Sequence, residues 1–268
     1  MATLYWVGGV DGDPTNVNNW VTAAGATPGS APVNSDTIIF DRGNVDCNGD
    51  IGGLTGLTVI GTRGYTGELG HDTAFNGDIA DLRWRAHGAT FGGAITRAEV
   101  EAGGPVNFAE SSAHTVAELI TIDTEVYINS NITVTTCRQS GGLVQADDDG
   151  TGFTLYTQAS GKLITKRDAK IIAGGTAIFK NGAVWLDLSE VLSGGKLDYR
   201  SGVDIGSGHE IEVRPRGTLT FEHSSSTFNA REVNVWRDAI FNKRTQAGDA
   251  TVTLDEYGGI EAPSPMAL

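Results

Sequence analysis

The sequence predicts an all-β chain wound as a single-stranded parallel β-helix, a solenoid, with an N-terminal capping region. Three observations carry this. Glycine supplies 37 of the 268 residues and proline only seven, about twice the usual ~7% glycine without the proline or the strict Gly-X-Y period of collagen. Apolar residues make up 39% of the chain but fall into short alternating pieces rather than a 3.6-residue stripe. Those pieces are closed by Gly, Asn, Asp or Ser, which is strand-and-turn chemistry.

In chain order, residues 1–44 read as an arm or cap. They hold Leu4-Tyr-Trp-Val-Gly-Gly9, Asp11-Gly-Asp-Pro14, Asn16-Val-Asn-Asn-Trp20, a loop with Pro28 and Pro32, and the strand Asp36-Thr-Ile-Ile-Phe40. Residues 1–35, rich in Gly, Asn, Ala, Thr and Pro, suit an extended arm lying across a neighbouring subunit. Helical periodicity is almost absent, and its best short candidate is Ala113 to Ile120. From about residue 117, strand-like segments recur: Glu125–Ile128, Ile132–Val134, Phe153–Tyr156, Lys162–Ile164, Lys170–Ile172, Ala177–Phe179 and Val184–Leu186. The series continues through Lys196–Tyr199, Val203–Ile205, Glu210–Val213, Thr218–Phe221, Val233–Val235, Ala239–Phe241 and Thr251–Leu254. A coarser repeat begins at Gly161, Gly182, Gly195 and Gly217, with intervals of 21, 13 and 22 residues. Two of the three intervals match a coil of about 20–25 residues.

Stacked coils hydrogen-bond to one another at ~4.8 Å, and their inward side chains form one apolar column. Tight corners need residues that tolerate positive φ, hence glycine and asparagine. The β-helix is placed at 45–257, with a tail at 258–268; about six coils fit residues 117–257. An antiparallel β-sandwich is the alternative, because Asn-Gly pairs at 48–49, 76–77 and 181–182 also suit hairpins.

Net charge is −14, unevenly spread. Residues 1–160 carry 19 acidic and six basic side chains, and residues 161–268 carry 14 and 13. So acidic a first half repels phosphate backbones, which argues against nucleic acid as a partner. Apolar runs fall far short of the ~20 residues that span a bilayer, so no membrane partner is expected. The N-terminus lacks a charged and apolar leader pattern, which predicts synthesis and folding in a cytoplasm. Cys47 and Cys137 have no metal-ligand spacing and read as small core residues.

Candidate chemistry is sparse. Asp147-Asp-Asp149 before Gly150, and Asp11 with Asp13, offer carboxylate pairs of the kind a glycan hydrolase needs on a groove, yet both fit acidic turns better. The same two clusters and Asp41, Asp46 and Asp50 lack the loop spacing of a calcium site. His71, His87, His114, His209 and His223 are scattered, with no HExxH and no nucleophile elbow. Gly52-Gly-Leu-Thr-Gly56 lacks the Lys-Ser/Thr of a phosphate-binding loop. Trp84 and Trp236 could stack on sugars if they faced outward, but core packing or subunit contact suits them better. Arg83 with Arg85, and Arg214 with Arg216, alternate so that each pair can share a strand face, although Pro215 makes the second pair a turn. No cofactor is predicted.

The opener Trp6-x-Gly8-Gly9, with Asn19-Trp20 and then Pro32-x-x-x-Asp36-Thr37, resembles the start of β-helix domains in bacterial surface proteins and in bacteriophage virion proteins. The likeness covers some forty residues in detail and the rest by repeat style. It implies a non-enzymatic virion structural protein, a cement or decoration protein on the capsid exterior. Its partner would be the major capsid protein, and it would assemble as a homo-oligomer, a trimer. The charge split implies the near-neutral second half toward the shell. The interaction candidates are Trp6, Trp20, Arg214, Arg216 and Trp236. A tail-associated adhesin that recognises or degrades a surface polysaccharide is the alternative, and a free polysaccharide lyase is a third.

Overall fold

In a computed structural model, the described residues are 1–70, 73–101, 103–109, 113–129, 131–146, 153–165, 169–179, 182–184, 188–199, 203–205, 210–223, 232–236 and 238–245. They form a parallel β-solenoid, and the chain divides into two compact units, Met1–Gln145 and a second beginning at Ala146. The Asp147–Gly150 cluster, His71, His209, the Thr251–Leu254 segment and the 258–268 tail lie outside the described residues.

The first unit contains β1 (Thr3–Trp6), β2 (Trp20–Val21), β3 (Thr37–Phe40), β4 (Leu57–Gly61), β5 (Ile79–Trp84) and β6 (Ala89–Phe91). It continues with β7 (Ile95–Val100), β8 (Val106–Phe108), β9 (His114–Ile122), β10 (Glu125–Ile128) and β11 (Ile132–Ala146). One column of parallel pairings runs β1, β3, β4, β5, β7, β9 and the first part of β11. A second runs β6, β8, β10 and the last part of β11. Among the described strands the one antiparallel pairing is β1 with β2, so the sandwich alternative falls. Asn48-Gly49 and Asn76-Gly77 join parallel coils and make no hairpin. The helical candidate at Ala113–Ile120 is strand β9: it pairs with β7 and β11 along its length, and burial of Val116, Leu119 and Thr121 against the column outweighs a weak local propensity.

The stack also begins before residue 45. Residues of β1 pair in parallel with β3, Thr3 opposite Thr37 and Tyr5 opposite Ile39, so the cap supplies the first rungs instead of reaching away as an arm. Alternation decides which side chains fill the column. In β4, Leu57, Val59 and Gly61 face in while Thr58 and Ile60 are half-buried on the outer face, as the two-residue strand period requires. The interior is aromatic: Trp6, Trp20, Phe40, Tyr65, Trp84, Phe91 and Phe108 are all at most 1% exposed. Their rings follow one another along the axis at centroid distances of 5.0–6.3 Å. Offset and edge-to-face contacts of this kind add about 0.5–1.5 kcal/mol each beyond burial.

The second unit contains β12 (Phe153–Thr165), β13 (Ala169–Ala173), β14 (Thr176–Phe179), β15 (Gly182–Val184), β16 (Leu188–Val191) and β17 (Lys196–Tyr199). It ends with β18 (Val203–Ile205), β19 (Glu210–Val213), β20 (Thr218–His223), β21 (Glu232–Val235) and β22 (Ile240–Thr245). Three parallel columns form: β12–β13–β16–β19–β21, β12–β14–β17–β20–β22, and β15–β18. The second column stacks Lys162, Thr176, Lys196, Thr218 and Ile240. The residues just before them are Gly161, Gly175, Gly195, Gly217 and Ala239. Gly175 is therefore the missing member of the glycine repeat, and Gly182 belongs to β15 on another face. The corner preceding each of the last three rungs is left-handed: Gly194, Arg216 and Asp238 have φ of 81°, 64° and 63° and recur every 22 residues.

Candidate functional site

The opener motif is a folding device. Trp6 and Trp20 are buried, and their indole N–H groups donate to the carbonyls of Val45 (3.1 Å) and Pro14 (2.8 Å). Asn19, fully buried, accepts from the Val10 and Asp11 amides at 2.8 and 3.2 Å and donates to the Asp11 carboxylate and the Asp13 carbonyl. Buried Asp36 accepts from the amides of Ala2 and Val33. A buried polar group without such partners costs about 1–3 kcal/mol, which explains why the motif pairs Asn and Asp with tryptophan. Two of the predicted interaction residues, Trp6 and Trp20, are accordingly core residues: their rings pack against each other and against Phe40 and present no surface to a partner.

The acidic turns are explained in the same way. Asp13 accepts from the amide and hydroxyl of Thr15, Asp11 from the amide of Asp13, and Asp50 from the amide of Gly52. The Asp11 carboxyl is held below its ordinary range by the Asn19 amide first and then by the Asp13 amide. Among the described residues no group of three or more His, Cys, Asp or Glu side chains is placed to hold a metal ion.

The most developed surface feature lies on the outer face of the first column. Parallel register lines up Thr58, Asp81, Arg97, Glu118 and Thr136, and beside them Ile60, Arg83, Glu99, Ile120 and Arg138. Arg97 reaches Asp81 (3.1 Å), Glu99 (2.7 Å) and Glu118 (3.6 Å). Arg83 pairs with Asp81 (2.7 Å), Arg85 with Glu99 and Glu101 (3.2 Å each), Arg63 with Glu101 (2.7 Å) and Arg138 with Glu118 (3.4 Å). The Arg97 hydrogen bond dominates in holding the Glu99 carboxyl below its ordinary range, against a burial effect that raises it. Between these charges runs an open groove of about 770 Å³, lined also by Ile60, Thr62, Ala80 and Thr96.

A smaller cluster stands on the second unit. Arg214 pairs with Glu190 (2.7 Å) and Glu212 (3.0 Å), its guanidinium lies 5.1 Å from the Trp236 ring centre, and the Trp236 N–H donates to Glu212 (2.9 Å). Arg214 and Trp236, separate interaction candidates in the sequence, are brought together here, and both are half-buried. Arg216 is not part of the cluster; it occupies the exposed left-handed corner beyond Pro215. Trp84 is buried, its N–H donating to the His87 carbonyl at 2.7 Å, so it offers no sugar platform. Arg83 and Arg85 do share an outer face. Comparison with family models, with curated proteins and with solved structures finds no match.

The ion-pair face went unrecognised in the sequence, although its local signals are plain: Arg83-x-Arg85 and Arg97-x-Glu99-x-Glu101 are alternating charges on strands. What these strands cannot disclose is which charge of one coil stands over which charge of the next. The two cysteines are buried and unpaired, as their scatter suggests. No described helix is long and apolar enough to cross a membrane.

Proposed function

We propose that this chain is a non-enzymatic structural protein of a bacteriophage virion: a cement or decoration protein, self-associated as a trimer, that stabilises the head by binding major capsid subunits from outside. The observation that carries the reading is the self-closed start of the solenoid. The opener that resembles virion β-helix domains spends its tryptophans, Asn19 and Asp36 on plugging the first coil, which suits a rigid peg whose work is mechanical. The surface chemistry is consistent with that role. Asp11, Asp41 and Glu99 are all held below the ordinary carboxylate range, Asp41 and Glu99 by neighbouring arginines and Asp11 by the Asn19 side chain. A general acid at neutral pH needs a raised pKa, the opposite direction.

The test is sedimentation and electron cryomicroscopy of capsids with and without the purified protein, together with the temperature at which the capsids rupture. Binding in fixed ratio to capsid subunits with a higher rupture temperature is the expected result. Depolymerisation of a cell-surface polysaccharide without capsid binding would overturn the reading in favour of a tail-associated glycan-recognising protein.

A further inference from the structure

Net charge by halves hides how the charge is arranged. Residues 1–160 contain six basic side chains, all arginine, and five of them, Arg63, Arg83, Arg85, Arg97 and Arg138, belong to the single ion-pair face of the first column. The sixth, Arg42, pairs with its neighbour Asp41 at 2.7 Å. The face also holds Asp81, Glu99, Glu101 and Glu118. The first unit, Met1–Gln145, holds sixteen carboxylates against six arginines, a balance of −10. Five arginines against the four carboxylates of the face give it a balance of +1 on a unit that is otherwise strongly acidic.

From this segregation we infer that the Arg83–Arg85–Arg138 face of the first column is the docking surface of the protein, and that its occupant is a carboxylate-rich protein surface, an acidic loop of the capsid subunit seated in the groove. This rests on the capsid-binding reading above and replaces the charge-by-halves expectation that the second half meets the shell.

Holding coils together does not account for the face. Exposed ion pairs contribute little to stability, and threonine or valine at the same outer positions would keep the strands paired. The arginines are also far from saturated. Arg63, Arg83, Arg85 and Arg138 leave 78%, 57%, 54% and 63% of their side chains exposed. Each guanidinium has five N–H donors and here spends only some of them on its neighbours. Held by carboxylates of their own strand (Arg83 by Asp81) or of other coils (Arg85 by Glu99 and Glu101, Arg138 by Glu118), the forks lose less entropy when they take a further carboxylate in a two-point contact. The groove of about 770 Å³ provides room for a loop, and Ile60 and Ala80 in its lining offer apolar contact between the charges. Arginine around a small apolar lining is the composition enriched at protein interfaces.

The experiment measures affinity for capsids that lack the protein, by cosedimentation at several salt concentrations, for wild type, Arg83→Glu/Arg85→Glu, the milder Arg83→Gln/Arg85→Gln, and Arg214→Gln on the other unit. Melting curves and circular dichroism report folding in parallel. The expected result is a loss of at least tenfold in affinity for the Glu pair, a smaller loss for the Gln pair, wild-type affinity for Arg214→Gln, and weakening of wild-type binding as salt rises. Wild-type affinity in a folded Arg83→Gln/Arg85→Gln and Arg83→Glu/Arg85→Glu, or loss of binding with Arg214→Gln instead, would overturn this surface while leaving the capsid role intact. Absence of wild-type binding would overturn both, and salt-sensitive binding of the face to an acidic polysaccharide in place of capsids would identify a different occupant.

Discussion

Trp6 and Trp20 meet edge to face at the first coil, with ring centroids 5.0 Å apart and planes inclined at 71°, and each lies over Phe40 at 6.0 Å. They come from β1 and β2, the antiparallel pair that folds back over the start of the stack. A solenoid end left open exposes its apolar column and its strand edges; this pair of rings closes the column with side chains of the same chain.

Replacing Trp20 by alanine should therefore cost about 3–5 kcal/mol, the usual penalty for emptying a buried aromatic site. Trp20→Phe should cost less, since it keeps the ring contact and forfeits the hydrogen bond to the Pro14 carbonyl. Urea unfolding midpoints of the two variants check this. Equal and small losses would mean that the cap is only loosely attached to the column.

At the corner between β9 and β10, the chain turns through Asp123 and Thr124, and the next coil passes over it through Gly141 and Gly142, with φ of 87° and 65°. A methyl group on Gly142 would fall 2.1 Å from the Thr124 carbonyl oxygen, a backbone atom that cannot step aside. At Gly194, φ is also positive, 81°, but the space beside it is open. Gly194→Ala should lose about 1–2 kcal/mol from backbone conformation alone, whereas Gly142→Ala should lose clearly more, because adjacent coils must also separate. Thermal melts of both variants distinguish the two causes.

How much of this was legible in the sequence follows from the range of the interactions. Strand identity is local: the two-residue alternation of Leu57, Val59 and Gly61 against Thr58 and Ile60 is visible in five residues. The stacking of coils is not local. Asp81 stands over Arg97 sixteen residues on, Arg97 over Glu118 after twenty-one, and Glu118 over Thr136 after eighteen, so no single period aligns the charges and the ion-pair face stayed hidden. In the second unit, where rungs recur every 22 residues from Lys196 to Thr218 to Ile240, the repeat was readable. The orientation of Trp6 and Trp20 was hidden for another reason. Both sit beside turns, where alternation gives no inside or outside, and their burial depends on Asn19 and Asp36 tying the loops down.

Burial pushes both thiols upward: the pKa of Cys137 is raised by desolvation alone, and that of Cys47 chiefly by desolvation with a smaller contribution from the charge of Asp13. Since the thiolate is the reactive form, neither cysteine should react with a disulfide reagent at pH 8 while the protein is folded, and both should react once it is unfolded in urea. Fast labelling of a folded sample would show that the coils around Cys47 or Cys137 open readily.

The ion-pair face should leave a signature in acid. Arg97 holds the Glu99 carboxyl below its ordinary range in the folded protein; in the unfolded chain that carboxyl returns to about 4.3. The folded state thus binds fewer protons than the unfolded one between those two values, so the stabilisation from this pair is complete above the unfolded pKa. It declines as the pH falls through the folded pKa and is absent below it. Arg97→Gln removes the main cause of the lowering. The stability difference between wild type and Arg97→Gln should therefore be present at pH 7, modest in size because the pair stands at a surface, and should shrink as the pH drops from about 5 toward 3. Raising the salt concentration at pH 7 should narrow it as well, since exposed charges are screened within about 10 Å at 0.1 M salt. Unfolding free energies from urea titrations of the two proteins across this pH range supply the measurement. A difference that stays constant with pH and salt would mean that Arg97 supports the stack by packing its side chain over the strands, with its charge contributing nothing.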